Sequence, residues 1–149
     1  MITFLEWLGS WIFFRCRRRD VRPVALMLGV AGVEPPGWRV VLAATLDEAQ
    51  ALLAREEIPV VLCESAATGA DWKRAVHLLA AAPCHPSVVL LSPPPHPPLW
   101  IEVTAAGGYD VLCEPVSAAA LDHAIRSATS HWRSRRAIEA ARTNAFPTR

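Results

Sequence analysis

Three residues stand where chemistry is easiest to place. Glu64 follows the apolar run Val60, Val61, Leu62 and Cys63, Ser92 follows Ser87–Leu91, and Glu114 follows Tyr109–Cys113. Apolar runs of this length suit strands buried on both faces of a parallel sheet. Open α/β sheets hold their sites beyond the carboxyl ends of such strands. A carboxylate there faces the crevice, and a second one nearby repels it unless a cation intervenes.

Other reactive side chains form weaker groups. Cys63 and Cys113 end strands on the same edge, and His96 lies in a neighbouring loop, but the three lack the paired spacing of a zinc site. Cys63 reads more simply as a small apolar residue. Cys84 and His85 fall at the opposite edge, with no third group to orient a nucleophile. His77 reads as half-buried helix packing. His123 and His131 lie in the last helix without metal spacing. No glycine loop of the P-loop or dinucleotide type occurs.

The elements that must carry these residues alternate along the chain. Strands are expected at Val24–Leu28, Arg39–Ala43, Val60–Cys63, Ser87–Leu91 and Tyr109–Cys113. Thr45 is placed to cap a helix over Leu46–Glu56, with Glu48 completing a capping box. Gly69 permits a backbone turn, and Asp71 caps a helix over Trp72–Ala82. The stretch Ser92–Pro98 contains five prolines, so it reads as a stiff loop replacing the start of the next helix; a polyproline II docking segment is the alternative. A short helix over Leu99–Ala106 ends at Gly107 and Gly108. Ser117 caps a last helix running to about Arg136. Between the first two strands lie Gly32, Pro35, Pro36 and Gly37 in about ten residues. A βαβ crossover normally takes a dozen or more. The first crossover helix is therefore expected to be missing or shortened, leaving one flank of the sheet bare. An antiparallel hairpin is the alternative there.

The segments PVVLCESAATGADW, SVVLLS and AAGGYDVLCEPVSAAAL resemble the third-, fourth- and fifth-strand regions of receiver domains of two-component response regulators. The resemblance runs from about Pro23 to Ala128. It implies a flavodoxin-like, doubly wound α/β fold with a five-stranded parallel sheet in the order 2-1-3-4-5. Glu64 then occupies the phospho-acceptor position, usually aspartate, and Ser92 the switch-hydroxyl position. Glu114 stands where the family has lysine, followed by Pro115, for which a cis bond is implied. Gly29 and Val30 occupy the positions of the Mg²⁺-binding acidic pair, and the next carboxylate is Glu34. Val111 replaces the usual switch aromatic.

These departures fall on the chemistry. Phosphoryl transfer rests on positioning and on cations that offset developing charge, and here the metal ligands and the lysine are both gone. The expected function is a pseudo-receiver that is not phosphorylated, binds no Mg²⁺ or other cofactor, is not an enzyme, and acts through protein contacts. Its expected partner is a histidine kinase or another signalling protein, and a homodimer is compatible with the resemblance. The alternatives are a phosphorelay receiver that accepts phosphate at Glu64 and an unrelated enzyme on the same fold. Trp100 and Tyr109 belong to the face that receiver domains generally use for signalling. Solvated splaying of Glu64 and Glu114 is the simpler reading of that pair; mimicry of a phosphoaspartate by Glu64 is the sharper one.

Composition agrees with a single domain. The chain has 149 residues, 52% of them apolar, and a net charge of +1, which gives no overall drive toward nucleic acid or anionic lipid. The four cysteines show no disulfide-framework spacing, so reduced thiols and a cytoplasmic setting are expected. Residues 1–22 form an apolar segment and an arginine-rich stretch, 23–136 the receiver-like domain, and 137–149 a tail expected to fray. Met1, Phe4, Leu5, Leu8, Trp11 and Ile12 share one helical face. The segment is too short for a transmembrane helix, which takes about 20 residues. Docking on the bare flank is preferred to a membrane-surface helix or a start site placed too far upstream.

Overall fold

The computed structural model describes residues 22–29, 35–94 and 99–145. The strands are β1 (Val24–Leu28), β2 (Arg39–Ala43), β3 (Val60–Glu64), β4 (Ser87–Ser92) and β5 (Asp110–Cys113). The helices are α1 (Leu46–Arg55), α2 (Trp72–Ala80), α3 (Leu99–Ala105) and α4 (Ala118–Ala145). A short 3-10 turn spans Ser65–Thr68. All strand pairs are parallel, in the order β2-β1-β3-β4-β5. This is the expected flavodoxin-like order, and the parallel β1–β2 pairing excludes the hairpin.

Alternation along each strand sorts the core into two layers. Leu26, Leu28, Val61, Cys63, Val88 and Leu90 face one side and pack with Ala49, Leu53, Val76, Leu79 and Val103 from α1, α2 and α3. Ala25, Met27, Val60, Leu62, Val89 and Leu91 face the other and meet Leu121, Ile125 and Ala128 of α4. Burial on both faces is why β1, β3 and β4 read as unbroken apolar runs. Each fully buried Leu or Val contributes roughly 1.5–3 kcal/mol by removing its surface from water.

Caps set the helix starts. The Thr45 hydroxyl accepts from Glu48 N–H at 3.2 Å, while the Glu48 carboxylate reaches back to Ala44 N–H at 2.9 Å. The reciprocal half of the box thus lands one residue before the cap. Asp71 accepts from Arg74 N–H at 3.0 Å, and Ser117 from Ala120 N–H at 3.1 Å.

Two details differ from the sequence reading. The last helix does not stop near Arg136 but continues to Ala145. The segment after Arg136 has neither glycine nor proline before Pro147, so nothing local breaks the helix. His77 is exposed on α2, because Ala75, Val76 and Leu79 take the buried positions instead.

The first crossover holds no helix among the described residues 35–38; residues 30–34, and the expected docking of residues 1–14, lie outside them. Trp38 occupies the α4 face. It is 7% exposed and packs in the same layer as Leu121 and Ile125. Its indole N–H donates to Asp122 Oδ1 of α4 at 3.2 Å. Beyond it the layer thins: on β2, Val40 is half-buried and Leu42 is 61% exposed.

Candidate functional site

Strand register brings the expected residues to one edge. Leu28 pairs with Cys63, Glu64 with Leu91, and Ser92 with Cys113. Gly29, Glu64, Ser92 and Glu114 therefore line the carboxyl-terminal edge of the sheet. Glu114 N–H donates to Ser92 O at 2.8 Å, and Gly29 N–H to Ala43 O at 3.3 Å. Glu64, Ser92 and Glu114 are half-buried. The Glu114–Pro115 bond is cis.

The β1 end of this edge is closed to a side chain. Gly29 has φ +79°, and a Cβ built on it would lie 2.1 Å from Ala67 Cβ and 3.3 Å from Glu64 Oε2. The 3-10 turn after β3 causes this. It is tightened by the Thr68 hydroxyl, which donates to Ser65 O at 2.7 Å, and it sets Ala67 over the end of β1. An aspartate at Gly29 would have to displace both neighbours. Val30 and Glu34 lie outside the described residues.

Positive charge lies elsewhere. Lys73, the sole lysine, pairs with Glu102 Oε2 at 2.9 Å across α2 and α3. None of the ion pairs among the described residues includes Glu64 or Glu114. Val111 packs on the three-helix layer.

The cysteine groupings do not converge. Cys63 is fully buried, and burial, with Glu64 beside it, pushes its thiol up to about 12. At neutral pH it carries no thiolate for attack or metal binding. Cys113 is exposed, and His96 lies outside the described residues. No cluster of three or more metal-ligating side chains occurs among the described residues. Cys84, at the opposite edge, directs its thiol toward Leu53 O and Ile58 O at 3.8 and 3.6 Å. His85 adopts φ +45°, and its carbonyl accepts from Arg135 Nη2 at 2.7 Å.

Sequence reading missed a group at the amino-terminal edge. Tyr109 precedes β5 there, with its hydroxyl 2.8 Å from Ser127 Oγ and its ring centroid 4.8 Å from that of His131. Ser87 and Arg135 lie beside them on one cavity wall. The available signal was a serine opening a fully buried strand.

No family model matches the chain, and no curated protein matches it in sequence. Solved structures do resemble it. A response regulator from Thermotoga maritima superposes with a TM-score of 0.64 at 20% identity, covering 74% of this chain and 99% of that one. The signal receiver domain of an HD domain-containing protein from Pseudomonas fluorescens Pf-5 gives 0.64 at 21%, covering 76% and 98%. A response regulator protein from Burkholderia pseudomallei, solved with a phosphorylated aspartic acid, calcium ion and citrate, gives 0.58 at 14%, covering 78% and 74%. At these identities the likeness establishes the fold, which is that of receiver domains.

Proposed function

We propose that this chain is a receiver-type signalling module that has lost phosphotransfer and acts through protein contacts. The observation that carries the reading is the closed end of β1, where Ala67 and Glu64 crowd the position of Gly29, one of the two at which the resemblance places metal-binding acids. The described residues at this edge do not fit Mg²⁺. With Glu64 at the acceptor position and Glu114 at the lysine position, the edge carries two carboxylates, and none of the ion pairs among the described residues brings a cation to them. Glutamate is also one methylene longer than aspartate, which moves its carboxylate off the in-line position.

Contact with a partner falls to the surface. Trp100 and Ile101 on α3 are 60% and 58% exposed, an apolar pair suited to a histidine kinase or another signalling protein. Among the described residues no helix is long and apolar enough to cross a membrane, and a cytoplasmic site of action accords with the reading.

The test is incubation with an acyl phosphate and Mg²⁺, followed by intact mass. The unmodified mass is expected. Gain of one phosphoryl group, lost in Glu64→Ala, would overturn the proposal in favour of a phosphorelay receiver using Glu64.

A further inference from the structure

On the outer side of the three-helix layer, an open groove of about 520 Å³ runs between α2 and α3. Lys73, Arg74 and His77 of α2 form one wall. Glu102 and Ala105 of α3, with Ala106 just after it, form the other. The two alanines and the alkyl stems of Lys73 and Arg74 make its surface largely apolar. Ile101 stands one turn before Ala105 on the same face of α3 and is 58% exposed. Apolar surface therefore continues out of the groove.

The charges of the groove are unequally matched. Lys73 Nζ pairs with Glu102 Oε2 at 2.9 Å and lies 5.7 Å from the Trp72 ring centroid, so that acid is engaged. Arg74 is exposed, and its guanidinium makes no ion pair or hydrogen bond among the described residues. His77, one turn further along α2, is exposed beside it. A guanidinium is a fork of donors with no acceptor, and a carboxylate matches it best. A basic segment laid here would meet Arg74 with no free acid to receive it. Resting on the reading that the chain acts through protein contacts, we propose that this groove receives an acidic amphipathic helix of a signalling partner. Its apolar side chains lie on Ala105, Ala106 and Ile101, and one of its carboxylates bonds Arg74. A helix suits a trough between two helices, because its anchors recur at i, i+3, i+4 and i+7 along one line.

The test selects a random peptide library displayed on phage against the full chain, then titrates the enriched peptides into isotope-labelled chain by NMR. Enriched sequences should carry Asp or Glu among apolar residues at helical spacing. They should give saturable shifts at Arg74, His77, Ala105 and Ala106, with affinity that falls as salt rises. Arg74→Glu should weaken binding by about tenfold, one charge pair lost and a repulsion gained. It should fold as the parent does, because an acid in the first turn of α2 suits the helix dipole. No enrichment overturns the proposal, as do enriched peptides that are basic, that bind Arg74→Glu equally well, or that shift residues elsewhere. The same shifts on concentrating the chain without peptide also overturn it and assign the groove to a second copy. The acyl phosphate assay reads separately. Phosphoryl gain with the groove still binding overturns only the earlier reading, and an unmodified mass with no binding overturns only this one.

Discussion

At Gly29 two separate effects forbid a side chain. Its φ of +79° is a region L-residues enter at a cost of roughly 1–2 kcal/mol, somewhat less for aspartate. The second effect is the overlap with Ala67 Cβ. Gly29→Asp, which would place a carboxylate at the end of β1, is therefore expected to destabilise the fold by about 1–3 kcal/mol in urea unfolding. Adding Ala67→Gly should recover the steric share and leave the backbone share. A Gly29→Asp protein as stable as the parent would show that the turn yields easily and that the site is less closed than its geometry implies. His131 supplies a prediction of a different kind. Burial, then the charge of Arg135, holds its pKa below the ordinary 6.5. The unfolded chain then binds the proton first as pH falls, so stability declines as pH drops from 6.5 toward the depressed value, and levels off below it. His131→Gln should remove that part of the slope in thermal melts across the window.

Among the elements, the described part of the first crossover, residues 35–38, contains no helix and contributes Trp38 to the core. One indole fills part of the α4 layer and ties β2's approach to α4 through Asp122. The Asp122 carboxyl is held below its usual value first by Arg126 and then by Trp38. A carboxylate with a depressed folded pKa adds stability above its unfolded value and loses it as pH falls through the folded one. Trp38→Phe should cost about 1–2 kcal/mol for the lost hydrogen bond and volume. It should also flatten the acid limb of the stability profile, measured by denaturant unfolding at a series of pH values below 4. An unchanged acid limb would mean that Arg126 alone sets the Asp122 shift.

For the whole molecule the decisive feature is unequal cover. Three helices shield one face of the sheet, while among the described residues α4 and Trp38 shield the other. Leu42, at 61% exposure, marks where cover ends. Leu42→Asp is therefore expected to change stability by no more than about 0.5 kcal/mol, as for other exposed positions. A larger loss in urea unfolding would reveal that another segment or molecule buries this flank. The resemblance to receiver domains supplied the strand order; the sequence by itself determined the alternation of strands and helices and set Glu64, Ser92 and Glu114 at strand ends. Those follow from local signals: apolar runs with a fixed period, caps and helix breakers that act within a few residues. Tertiary structure alone decided that Ala67 closes the end of β1, that Trp38 reaches α4, and that Ser87 and Arg135 share a cavity. Each joins residues distant in sequence or depends on how neighbouring turns pack, and no local pattern records the distance at which two side chains will meet.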